Sequence, residues 1–112
     1  MLDRRLIAIA LGLIVALFAA PAIAGDPTPQ RQGELLHQLR QECGSCHGAA
    51  LEGGLGPGLL PEYVEEMSIA ELAAIIRHGI AGTPMHGAAL TLDRDEAVWL
   101  AKQLQKGLPE AK

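Results

Sequence analysis

Apolar positions fall into four blocks along the chain: one continuous run, then three at helical spacing. Residues 6–20 are apolar without a break apart from Gly12, behind a short basic start at Arg4 and Arg5. From residue 35 onward the pattern changes. Leu35, Leu36 and Leu39 recur at helical spacing and run into Cys43, with Gln, Arg and Glu on the opposite face, which predicts an amphipathic helix of about three turns. Ser68-Ile69-Ala70-Glu71 has the form of a capping box opening a second helix through Leu72, Ala73, Ile75 and Ile76, with Gly79 placed to end it. A third helix starts at Asp93, with Glu96 three residues on and Ala97, Leu100 and Leu104 as its stripe. Between these lie two glycine-rich stretches, residues 48–60 and 80–90, that fit neither helix nor strand. No segment alternates with period two, so the expected fold is all-α, three to four helices with long glycine-rich loops.

The first block reads as a signal for export. Pro21 breaks its helix, and Ala22-Ile23-Ala24 supplies the small-x-small pattern of a cleavage site before Gly25. The expected organisation is a cleaved signal peptide over residues 1–24, a flexible leader over 25–30, and one domain over 31–112. An uncleaved anchor is the rival, since residues 6–24 are almost long enough to span a bilayer; the chain meets a membrane only in that case.

A domain of this size is near the limit at which a core alone sustains a fold. Outside the signal, Tyr63 and Trp99 are the only aromatic residues. A large apolar cofactor at the centre would make up the shortfall, so the chain without it is expected to fold poorly. Thirteen acidic residues against nine basic ones give a net charge of −4. The charges form no basic stripe, which argues against a nucleic-acid partner.

The chemistry sits at Cys43-Gly44-Ser45-Cys46-His47. Two thiols separated by two residues and followed at once by histidine match the attachment signature of a c-type haem, in which each thiol forms a thioether and the imidazole ligates the iron. A dithiol redox pair would use the same spacing, but no βαβ pattern surrounds it. A zinc site would need a second ligand pair, which the chain lacks. These are the only cysteines, so one covalent haem c is the expected cofactor, with its iron. Covalent attachment of this kind takes place on the exported side of a bacterial inner membrane, so motif and signal both point to the periplasm.

A second axial ligand is expected from Met85, in Gly82-Thr83-Pro84-Met85, where Pro84 stiffens the loop. His86 is its competitor; His37 and His78 read as surface residues. His47 must hold its Nδ1–H on an acceptor to keep Nε2 for iron. The rigid Gly56-Pro57-Gly58-Leu59 turn is where such an acceptor is expected, at the Pro57 carbonyl.

Taken together, the haem motif after an N-terminal helix, the following Gly-Pro-x-Leu, the Thr-Pro-Met loop and the C-terminal helix resemble the class I cytochromes c over the whole domain. That resemblance implies crossed terminal helices bringing Leu36 and Leu39 near Trp99 and Leu100, with Pro57 and Met85 in the family's two roles. Residues 43–48, Leu51-x-Gly53-Gly54-Leu55-Gly56-Pro57 and His78-Gly79-x-x-Gly82-Thr83-Pro84-Met85 are similar, more narrowly, to the NirC/cytochrome c55X family of denitrification clusters. One departure stands out: the family usually has proline after the methionine, where this chain has His86 and Gly87. The resemblance implies a monomeric one-electron carrier rather than an enzyme. Its implied partner is cytochrome cd-type nitrite reductase or an enzyme that matures the reductase's d-type haem. A general respiratory shuttle with another redox partner, and a haem-based ligand sensor, are the alternatives.

Overall fold

The computed structural model describes residues 3–7 and 25–109. The signal-peptide expectation therefore falls almost wholly outside the described residues. Among those described, no helix is long and apolar enough to cross a membrane.

Helix α1 spans Pro29–Gln38 and continues without interruption through a π-helical turn, Leu39–Cys43, into a single α-helical turn, α2, Gly44–His47. The expected leader is thus two residues too long: the helix includes Pro29 and Gln30. Thr28 explains the earlier start, since its side chain accepts from the Arg31 amide. Pro29 follows at the first helical position, where its fixed φ suits the helix and its missing N–H costs nothing. A further short turn, α3, Pro61–Val64, also starts on a proline. Helices α4, Ile69–His78, and α5, Arg94–Lys106, complete the domain.

Both expected capping boxes are present. Ser68 and Glu71 exchange side-chain-to-backbone hydrogen bonds at 3.1 and 2.8 Å, and Asp93 and Glu96 do so at 2.8 and 3.0 Å. Gly79 ends α4 at φ 69°. The only β-type pairing among the described residues is one antiparallel bridge between Gly79 and His86, which accords with the all-α class.

Helix α5 is the central element, packing on α1, α3 and α4. It buries Ala97, Trp99, Leu100, Ala101 and Leu104, a stripe wide enough to face three neighbours. Leu35 and Leu39 are the buried leucines of the N-terminal helical stretch, while Leu36 is only half-buried at the core's margin. Polar ties reinforce the packing. Arg31 reaches from α1 to Glu96 on α5 at 2.6 Å. From α5, Gln105 donates to the Val64 carbonyl at 3.2 Å and to that of Met67, satisfying groups left open where α3 ends.

Candidate haem site

The continuous helix places the thiols. Cys43 closes the π-helical turn and Cys46 follows one turn later, so the two lie three residues apart on one side of the helix. Both are free thiols; Cys43 is half-buried and Cys46 exposed. Before haem is attached, burial, and secondarily the neighbouring Glu42 and Cys46, push the Cys43 thiol up from its ordinary pKa.

His47 is the one buried polar side chain among the described residues, 9 % exposed. Its Nδ1 lies 2.6 Å from the Pro57 carbonyl oxygen. A carbonyl can only accept, so the proton sits on Nδ1 and the Nε2 lone pair is left free. Around the ring the loop is drawn in by its own backbone. The Gly53 amide donates to the His47 carbonyl and the Gly56 amide to that of Cys46, both at 2.8 Å. These are carbonyls that the end of α2 leaves without helical partners. Gly56 then lies flat against the imidazole: a Cβ there would stand 2.8 Å from Cε1 and 2.9 Å from Nδ1. That close approach requires glycine. It was not anticipated from the sequence, although the Gly-Pro-Gly run was its only visible trace.

Met85 is held by a different device. It is half-buried on the segment after α4, beside exposed His86. The Ile80 amide donates to the Met85 carbonyl at 3.1 Å. Thr83 Oγ1 donates to the Ile80 carbonyl at 2.7 Å and accepts from the Met85 amide at 3.2 Å. The chain then turns back on α4, where the amides of Ala88 and Ala89 donate to the Ile76 and Arg77 carbonyls at 2.9 and 3.0 Å. Gly87 makes this return possible, because any Cβ there would collide with the Arg77 carbonyl oxygen. The chain after Met85 is therefore tied back to the end of α4 through its backbone. His37 and His78 are both exposed.

The donor set suits a c-type haem: two free thiols a turn apart, an imidazole with a free Nε2, and a neutral thioether on a braced loop. The comparisons with known proteins bear on the same chemistry. A family model described as cytochrome c oxidase, cbb3-type, subunit III matches residues 28–104. Cytochrome c55X of Paracoccus denitrificans is 41% identical over 96 residues, covering 86% of this chain and 93% of that protein. The chain belongs to the cytochrome c55X family. As a c55X-type cytochrome it carries haem c, covalently bound with its iron, and serves electron transport. The solved structure of a c-type cytochrome NirC has the same fold, with a TM-score of 0.71 at 44% identity over 73% of this chain and 96% of that one. The family resemblance and the class I cytochrome c fold expected from the sequence are thereby borne out. A dihydro-heme d1 dehydrogenase of Pseudomonas aeruginosa is 42% identical over 105 residues, which is 94% of this cytochrome but 20% of that enzyme. The chain is thus a NirC-like cytochrome of the denitrification context, related to part of a larger d1-haem enzyme.

Proposed function

We propose that this cytochrome is a periplasmic one-electron carrier, not an enzyme. In this reading Cys43 and Cys46 form the thioethers, and His47 and Met85 are the axial ligands. Its partner is cytochrome cd-type nitrite reductase, which it serves as electron donor or through maturation of the reductase's d-type haem. The observation that carries the reading is the 2.6 Å contact between His47 Nδ1 and the Pro57 carbonyl. It leaves one ring nitrogen for metal and fixes the ring's orientation, as ligating histidines require.

Bound haem c supplies the ferric/ferrous couple. The residues determine how that couple is used. Pro57 and Gly56 hold the His47 ring in place, so the imidazole need not reorient between oxidation states. Met85 offers a soft, neutral sulfur, which favours ferrous iron relative to a second imidazole. A thioether from Met85 on the iron would leave substrate no place there, which favours a carrier over a sensor. The export pattern at residues 1–24 supports the periplasm. The maturation branch draws on the relative named dihydro-heme d1 dehydrogenase: a dehydrogenase removes electrons, and a fused or separate cytochrome is a fitting acceptor for them.

Deleting this chain from its host and assaying the d-type haem carried by purified nitrite reductase tests the reading. A reductase lacking d-type haem assigns the cytochrome to maturation. A fully loaded reductase that is slow to accept electrons assigns it as donor. A loaded reductase working at the undeleted rate overturns the link with that enzyme.

A further inference from the structure

The hydrogen bond that orients His47 ends on a carbonyl, and that carbonyl belongs to the peptide joining Pro57 to Gly58. The residues on either side are tied down. The Gly56 amide donates to the Cys46 carbonyl and the Leu59 amide to that of Leu51, both at 2.8 Å. Between these ties the peptide can still turn like a crank, through ψ of Pro57 and φ of Gly58. Proline fixes only its own φ and brings no N–H of its own, and glycine offers little resistance to a change of φ. Such a turn swings the carbonyl oxygen off the imidazole while the ends of the loop stay where they are.

An aromatic ring stands against that rotation. Tyr63 lies on α3, and one edge of its ring occupies the place where a side chain at residue 58 would project. A Cβ there would be 2.5 Å from both Cδ2 and Cε2 of Tyr63. The Glu52 carbonyl oxygen flanks the same spot, 3.0 Å from that Cβ position. Gly58 is thus wedged between loop backbone and ring. The turn that carries the ring is itself anchored: Pro61 opens it, Val64 is buried in the core, and Gln105 of α5 donates to the Val64 carbonyl. Tyr63 is 58 % exposed, so its ring adds little to the core. What it holds is the loop.

We infer that Tyr63 is a positioning residue for His47. Its ring keeps the Pro57–Gly58 peptide in the orientation that presents the carbonyl to Nδ1–H. A carbonyl on that proton makes the imidazole a more basic ligand, and a more basic axial ligand favours ferric iron. Without the ring the peptide samples other orientations, the bond weakens on average, and the balance moves toward ferrous iron. Tyr63 thereby tunes the driving force for electron transfer from a residue that is neither a thioether nor a ligand. This role rests on His47 being an axial ligand, as proposed above.

The test compares the haem-loaded native protein with Tyr63→Ala, Tyr63→Leu and Tyr63→Phe. The readouts are the midpoint potential and, in the ferrous state, the rate at which the His47 Nδ1–H exchanges with solvent, followed by NMR. Tyr63→Ala should speed the exchange about tenfold, on the order of one hydrogen bond's net worth. It should also favour ferrous iron about threefold, a rise of about 30 mV at about 59 mV per tenfold for one electron. Tyr63→Phe keeps the ring and should match the native protein in both readouts. Tyr63→Leu should fall between, and carries the test if Tyr63→Ala does not load haem. An alanine or leucine variant that melts lower with both readouts at native values overturns the role, because the ring is then only structural. A phenylalanine variant that behaves like alanine overturns it too. In the native ferrous protein the haem should shift the His47 ring protons far upfield. Ring protons at ordinary imidazole positions overturn the ligand assignment and this role with it, whereas shifted protons with unmoved variant readouts overturn the role alone.

Discussion

The two sides of the proposed iron site are built on opposite principles. On the His47 side the side chain itself is gripped: the ring is buried, hydrogen-bonded to Pro57 and covered by Gly56. On the Met85 side the grip is on the backbone. Thr83, Ile80 and the return of the chain onto α4 fix where residue 85 stands, while the residue itself is only half-buried on a largely exposed loop. A ligand fixed through its ring resists displacement, whereas one fixed through its loop is released when the loop opens. The Met85 side is the side on which this cytochrome should yield first.

Substitutions on each side can break or sharpen that contrast. The largest effect is expected from Gly56→Val, which drives a branched side chain into the imidazole. Overpacking of that kind costs about 1–3 kcal/mol or more, and it should sharply lower the yield of haem-loaded protein, read by pyridine haemochrome assay. Met85→Ala should leave haem attachment intact but open the iron, so that the ferrous variant binds carbon monoxide and the native protein does not. Native protein that binds carbon monoxide as readily would remove Met85 from the ligand set. Gly87→Val should destabilise by about 1–3 kcal/mol through its clash with the Arg77 carbonyl, with carbon monoxide binding appearing at temperatures well below global melting. The milder Thr83→Val removes two exposed hydrogen bonds and should cost about 1 kcal/mol, read as faster carbon monoxide binding with little change in melting temperature.

The smallest effect concerns acid. The hydrogen bond from Arg31 holds the Glu96 carboxyl below its usual range, against the opposing effect of burial, and the Asp93 amide adds a lesser lowering. The Ser68 amide and hydroxyl do the same for Glu71. A depressed carboxyl stabilises the fold above its unfolded pKa, and that contribution is lost as pH falls through the folded value. Stability should therefore decline below about pH 4, near the unfolded glutamate value. Glu96→Gln should flatten part of the decline while lowering stability at neutral pH.

Features carried by local rules were legible from the residues alone. The capping boxes at Ser68 and Asp93, the α5 stripe and the haem motif each need only a few neighbouring positions to define them. What was missed depends on contacts distant in sequence or on backbone groups that every residue shares. Leu51 and Leu55 occupy the same glycine-rich loop, yet Leu51 is 5 % exposed and Leu55 94 %. Only the fold decides which of them turns inward, and Leu51 does so at φ 58°, a region leucine rarely adopts. The single turn of α3 is too short to show a period.

The π-helical turn at Leu39–Cys43 has a consequence for how such a cytochrome can change over time. A turn closed by i→i+5 bonds holds one residue more than an α-turn, so everything after it is rotated relative to everything before. It works as a phase adjuster between two faces of one continuous rod. Leu35 is set in the core by the first part, and Cys46 and His47 are placed by the second. Because the offset resides in that turn, substitutions that repack the leucine face need not re-aim the attachment face. Loss of a single residue between 39 and 43 would rotate the thiols and imidazole together while leaving each chemically intact.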